Sequence, residues 1–343
     1  MVRRTARTAL IAALAAAAAW SSGVARAQAP GEPFKGKTIT VTIGYAPGGG
    51  YDFYGRLVAR HIGRSIPGAP NVVPQNMPGA GSLKAANYLY EQAPKDGTAL
   101  GIVVQTLALE EALDNPGVRY KAARFVWIGR VTSNTDINMM WHTAKAQSVE
   151  DAKAMDVPIA GTGAGSTSET IPRLLNRLIG TRFKVISGYQ TSTDGMLAME
   201  RGEVDGAGSS WNTIKLTKPD WLRDRKVKII FQHTVERHRE LPDVPSLVDL
   251  GNTPEDKQVL ALYASGAVVG RSILAPPDVP ADRVRTLRGA FDAMLKDPAF
   301  LAEVEQAKAE FDPLPGERLQ ALVAETANVG GEIKQRAKAA VAP

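Results

Sequence analysis

The chain has 343 residues, no cysteine, four histidines and a formal charge of +6. Without cysteine there are no disulfides, no thiolate metal sites and no cysteine nucleophile, so the fold must rest on ordinary hydrophobic cores. Arg3, Arg4, Arg7 and Arg26 fall in the first 27 residues, which hold no acid; without them the charge is about +2, too weak a bias to point to nucleic acid or a membrane surface.

Residues 1–27 read as a secretory signal peptide. Three arginines precede an apolar stretch from Ala9 to Ala19, and Ala25-Arg26-Ala27 supplies a small-x-small cleavage pattern. That stretch is shorter than the roughly 20 residues of a membrane span. The Arg3-Arg4 pair resembles a twin-arginine signal, but no fuller motif follows it. Cleavage near Ala27/Gln28 and a periplasmic location are expected.

Thr38 to Ile43 alternates β-branched residues and predicts a strand, which runs into Tyr45-Ala46-Pro47-Gly48-Gly49-Gly50-Tyr51-Asp52. Tyr54, Leu57, Val58, His61 and Ile62 then recur at helical spacing. A strand, three glycines and a helix start together suit an anion, because glycine admits close approach and the helix end offers free N–H groups. The same pattern also suits a tight turn without a ligand. Further strands are predicted at 72–75 and 99–104, with helices at 82–92 and 106–113. This order implies a parallel sheet with helices on both faces.

A second unit of similar grammar follows. Strand 157–160 enters Gly161-Thr162-Gly163-Ala164-Gly165-Ser166-Thr167, and a helix runs over 168–178. Strands at 183–186, 204–207 and 226–231 and a helix at 193–201 complete it. The segment 267–274 predicts one more strand, and the tail from Ala281 is helical with breaks near Pro298 and Pro313. The expected fold is α/β with two lobes, each a mixed, mainly parallel sheet with flanking helices. The first lobe takes residues 28–128 and 234–343, the second 129–233, with chain crossings near 125–131 and 231–238.

Enzymatic patterns are missing. Neither glycine-rich loop is followed by the lysine of a phosphate-binding loop, and no Gly-x-Ser-x-Gly elbow occurs. Gly161, Gly163 and Gly165 match a dinucleotide fingerprint only loosely. His61, His142, His233 and His238 form no metal-ligand pattern and read as surface or packing residues. No catalytic residue, metal or cofactor is assigned.

Five motifs stand in order: Pro47-Gly48-Gly49-Gly50-x-Asp52, Gln75-Asn76-Met77-Pro78-Gly79-Ala80-Gly81, Ala93-Pro94-x-Asp96-Gly97, Leu241-Pro242-Asp243-Val244-Pro245-Ser246-Leu247 and Ile273-Leu274-Ala275-Pro276-Pro277. Together they resemble the Bug family, the TctC-like extracytoplasmic solute receptors of tripartite tricarboxylate transport systems, over nearly all of the chain after the signal. The resemblance implies a two-lobed periplasmic receptor that closes on a small organic anion, chiefly through backbone N–H groups, hydroxyls and water, often without a salt-bridging arginine. Carried over by position, Tyr45, Ala46, Gly48, Gly49, Gly50, Tyr51 and Asp52 line the first lobe with Gln105 and Thr106. Thr162, Gly163, Ser166, Thr167, Tyr189 and Asp205 line the second. Asp52 would repel an anion and is better read as a helix cap. Gly79-Ala80-Gly81 is either near the cleft or a cap of the second helix.

The departures bear on the ligand. Tyr51 replaces a usual threonine, Met77 a usual arginine, and Tyr189-Gln190-Thr191 a Tyr-basic-Gly motif. They weigh against a tricarboxylate and leave a dicarboxylate, an aromatic acid or an amino-acid derivative. The expected partners are that anion and membrane permease subunits, with no nucleic acid and a monomeric state. The alternatives are a periplasmic sensor for a membrane signalling protein and an α/β hydrolase.

Overall fold

Thr38–Ile43 forms strand β1, with Ile39, Val41 and Ile43 turned into one core. In this computed structural model residues 32–341 are described, so the predicted signal peptide lies outside the described residues. β1 pairs in parallel with β2 (Asn71–Asn76) and with β3 (Ala99–Ile102). β2 pairs with β1 alone, and that edge position explains how it tolerates Pro74. Strand β4 (Val126–Thr132) belongs to the same sheet, whereas β5 (Asp136–Trp141) opens a second one. The second sheet adds β6 (Val157–Gly161), β7 (Phe183–Ser187), β8 (Gly206–Ser210) and β9 (Val227–Gln232). β10 (Arg271–Ala275) and the short β11 (Leu314–Pro315) return to the first.

The two sheets have the orders β11-β4-β10-β3-β1-β2 and β7-β6-β8-β5-β9. Each contains a parallel trio, β2-β1-β3 or β7-β6-β8, flanked by an antiparallel strand, β10 or β5. Helices cover both faces. Around the first sheet, Leu100, Ile102, Ile273 and Phe291 fill one core while Ala99, Val103, Trp127 and Leu274 fill the other. Around the second, Val157, Ile159 and Phe231 oppose Ile137, Met139 and Ala160. This is the period-two alternation of a sheet buried on both faces.

Several expectations need correction. The segment 125–131, read as a crossing, falls on strand β4; the chain passes between the sheets over 133–135. Strand 204–207 begins two residues later, at Gly206, and continues to Ser210. The run 267–274 is not one strand but a helical turn, Gly266–Val269, then Gly270, then β10. Gly270 has φ +53, and a Cβ there would collide with the Thr132 carbonyl, so the turn admits only glycine. The tail divides as well. Helices Ala281–Met294 and Gly316–Ala327 pack on the first sheet through Leu287, Phe291, Leu319 and Val323. Helices Pro254–Ala264 and Gly331–Val341, placed with the first lobe from sequence, instead share a core with Ile171, Leu174 and Leu175. Their apolar residues, Val259, Leu260, Ala337 and Ala340, find their complement there.

Gly270→Ala should therefore destabilise the fold by about 2–4 kcal/mol, combining left-handed strain with a backbone collision. Urea unfolding should show a lower midpoint with an unchanged slope; a midpoint within error of wild type would refute the turn geometry.

Candidate ligand-binding site

Four helix starts converge on one cavity between the lobes. Gly49 and Gly50 begin helix Gly50–Ile62; Ser166, Thr167 and Ser168 begin Thr167–Ile179; Thr191 and Ser192 begin Ser192–Glu200; Ser210 begins Trp211–Thr217. Each lies just past the carboxyl end of a strand or its loop, so their positive dipole ends point to a common space. Gly49 receives no side-chain cap, and the N–H groups of Gly49, Gly50 and Tyr51 have no acceptor among the described residues. Tyr45, Val104, Asp136, Gly208, Ser209, Thr213, His233 and Arg271 complete the lining.

Arg271 is the strongest charge in this space. It is only 4% exposed, forms no ion pair among the described residues, and its Nη1 has no hydrogen-bond partner. Its guanidinium lies 3.8 Å from the centre of the Tyr51 ring, a cation–π contact. Tyr51 in turn stacks on Tyr45 with ring centres 4.7 Å apart, and its hydroxyl accepts the Gln105 N–H at 3.1 Å. Burial pushes the Tyr51 phenol up, against the pull of Arg271, so it remains neutral at ordinary pH.

Asp52 is removed from the ligand space by its own bonds. Its carboxylate accepts from the Gly48 N–H at 3.0 Å, Arg56 at 2.8 Å and Asn76 at 2.9 Å. Burial opposes its charge, yet these bonds outweigh it and hold the carboxyl below its ordinary value. Asn76 also donates to the Tyr45 carbonyl at 2.8 Å, so Asp52 and Asn76 together fix the glycine loop.

The second lobe is a chain of hydroxyls. Thr162 Oγ1 and Ser166 Oγ both meet Ser168 Oγ, at 3.0 and 2.9 Å. Thr167 donates to Asp136 at 2.7 Å. His233, expected at the surface or in packing, is buried at the cavity wall. Its Nε2 faces Asn138 Oδ1 at 2.7 Å, its Nδ1 has no partner, and burial lowers its pKa to about 4.

Of the residues singled out from sequence, the structure brings Tyr45, Gly49, Gly50, Tyr51, Thr162, Ser166 and Thr167 to the cavity wall. The others lie elsewhere. Ala46 and Gly48 are not part of this lining; the Gly48 carbonyl reaches the second lobe instead, accepting from Thr193 at 3.0 Å. Gln105 and Thr106 join the lobes, bonding to Asp136 and to the Gly165 carbonyl. The Gly163 N–H is taken by Glu169 at 2.8 Å, and that glycine packs on Ala80-Gly81 of the facing lobe. Tyr189 packs against the core below its loop. Asp205 precedes β8 and so stands at the far end of the strand whose last residues, Ser209 and Ser210, line the cavity. Sequence reasoning missed Arg271, Asp136, Thr191, Ser209, Ser210 and His233. The usable signals were an arginine inside an otherwise apolar strand and a Ser-Ser pair before a helix.

The family model for the tripartite tricarboxylate transporter family receptor, TctC, matches residues 56–338. The chain belongs to this family. No curated protein sequence matches it. Among solved structures, the periplasmic binding protein BugD is similar over 88% of this chain and 97% of its own, with 21% identity and a TM-score of 0.69. MatC of Rhodopseudomonas palustris with bound malate aligns over 89% and 99%, with 22% identity and a TM-score of 0.68. A second R. palustris protein, with adipate, aligns over 84% and 93%, with 18% identity and a TM-score of 0.64. At these identities the likeness establishes the two-lobed fold, which BugD shares as a periplasmic binding protein, and the family is one of receptors.

Two expectations follow. A Cβ on Gly50 would run into Thr213 Oγ1 across the cleft and lie 3.3 Å from Arg271, whereas one on Gly49 would make only ordinary contact with Thr191. Gly50→Ala should thus hold the lobes apart: its scattering radius should exceed that of wild type under identical conditions, and Gly49→Ala should match wild type. Equal radii for all three would contradict the closed geometry. Secondly, the lowered pKa of Asp52 means that its stabilisation is present above the unfolded carboxyl value, about 3.9, and is lost as pH falls through the folded value. Unfolding followed from pH 7 to 2 should show wild type losing its advantage over Asp52→Asn in that acid range, and a constant difference would exclude the bonded carboxylate.

Proposed function

We propose that this chain captures a small organic anion between its lobes and presents it to the permease subunits of a tripartite transporter in the membrane. The observation that carries this reading is Arg271: a buried guanidinium with an unpartnered Nη1, facing the uncapped helix start at Gly49 and Gly50. A buried charge with no direct ion-pair partner is unfavourable, so such a group is explained by an anion that arrives from outside. The malate and adipate bound to two structural neighbours support an organic acid as that anion. A tricarboxylate is disfavoured, because Asp136 shares the cavity and only one guanidinium faces it. A periplasmic location follows from the signal-like segment and agrees with the neighbours' setting.

A thermal-shift screen of the protein from Gln28 against organic acids identifies the ligand, since binding to the folded state alone adds about 2.7 kcal/mol at a hundredfold excess over Kd. Arg271→Gln should then weaken the best acid by about 2–4 kcal/mol, measured by titration calorimetry, because it removes one partner of a buried charged pair. The unliganded variant should melt no lower than wild type, since an uncompensated charge is gone. A variant that melts lower yet keeps its affinity would make Arg271 a structural cation and defeat the proposal.

A further inference from the structure

Asp136 gives the cavity a second charge, opposite in sign to Arg271. It lines the same space, and among the described residues it forms no ion pair. Its neighbours are all neutral donors: Asn134 Nδ2 at 2.7 Å on one oxygen, and Thr167 Oγ1 at 2.7 Å with Gln105 Nε2 at 3.2 Å on the other. Three such bonds hold the carboxylate in place and leave its negative charge uncancelled, with about one of its four acceptor positions open. His233 adjoins it, its N–H donating to the Asp136 carbonyl at 2.8 Å. With Nε2–H directed at Asn138 Oδ1, the buried, unpartnered Nδ1 of His233 is a bare acceptor on the same wall. The cavity thus offers one cation on the first lobe, and a carboxylate and an imidazole nitrogen side by side on the second.

A simple dianion fits this arrangement poorly. One carboxylate would meet Arg271 and the helix start at Gly50, but the other would face Asp136 in a closed space where water screens little. An ammonium group answers both acceptors, since it carries three N–H donors and a charge that cancels Asp136. We propose that the ligand is an amino acid, its carboxylate held at Arg271 and its ammonium at Asp136 and His233, and that Asp136 is the residue that selects it over the corresponding acid without an amine. This inference rests on the reading of the cavity as a solute seat.

Matched pairs test it by calorimetry: glutamate against glutarate, aspartate against succinate, and N-acetylglutamate, which keeps both carboxylates and loses the cation. Wild type should bind the amino member of at least one pair tenfold or more tightly than its partner, and bind the acetylated form weakly. Asp136→Asn should cut that preference to threefold or less. The wild-type comparison stands without the variant, should Asp136→Asn fail to fold. Tighter binding of glutarate or succinate than of the amino acids would overturn the inference while leaving the receptor function intact, as would a preference that survives in Asp136→Asn. If no amino acid or organic acid binds at all, the inference and the receptor reading both fall.

Discussion

The structure depends on a guanidinium kept indoors without a salt-bridge partner. Strand β10 opens with Arg271 and sets it at the cavity wall, almost shut off from the water that would ordinarily solvate a charged group. Tyr51 gives it an aromatic face, which offsets part of the cost and leaves Nη1 unpartnered. The surroundings follow from this arrangement. Tyr45 must back Tyr51, the Gln105 N–H must hold its hydroxyl, and the glycine loop must stay slim enough for the ring to reach the guanidinium.

Acidic side chains nearby are treated in opposite ways. Asp52 is fully occupied by Arg56, Asn76 and the Gly48 N–H, so its charge is spent on shaping the loop and does not compete for Arg271. Asp136 is bonded only by neutral groups and keeps its field. The two carboxylates, one behind the glycine loop and one on the cavity wall, therefore have different meanings, decided by whether their donors are charged. The convergence of helix starts adds a positive background in which both act.

The strands and helices of the parallel trios were largely legible in the sequence, because buried strands and amphipathic helices each leave a period. β1 matches its predicted limits, and helix Gly50–Ile62 buries Tyr54, Leu57, Val58, His61 and Ile62. The strands that pass between the sheets were less visible. β4 and β5 are buried on both faces, so they show no alternation, and only three residues separate them. For the site, the glycine-rich loop after β1 could be placed because glycine and helix starts act locally. Asp136, His233 and Arg271 meet through pairing between strands far apart in the chain, and no local pattern records that. Asp205, carried over by position, stands at the opposite end of β8 from the lining residues Ser209 and Ser210, because pairing with β5 and β6 fixes which end reaches the cavity.

The glycine-rich loop after β6 also meets Gly79-Ala80-Gly81 of the first lobe. A Cβ on Gly81 would lie 2.6 Å from the Ser166 nitrogen, and one on Gly163 would strike the Gly81 nitrogen. At this point the lobes touch main chain to main chain, with no side chain between them. Side chains can change rotamer and blur a stopping point, whereas peptide planes are stiff. Closer approach at this point would drive one peptide plane into another, so the contact limits how near the lobes can come here. Cleft width at this point is thereby separated from cleft chemistry, so wall substitutions that leave the close approach of Gly50 to Thr213 untouched can alter which solute is held without altering how the lobes meet.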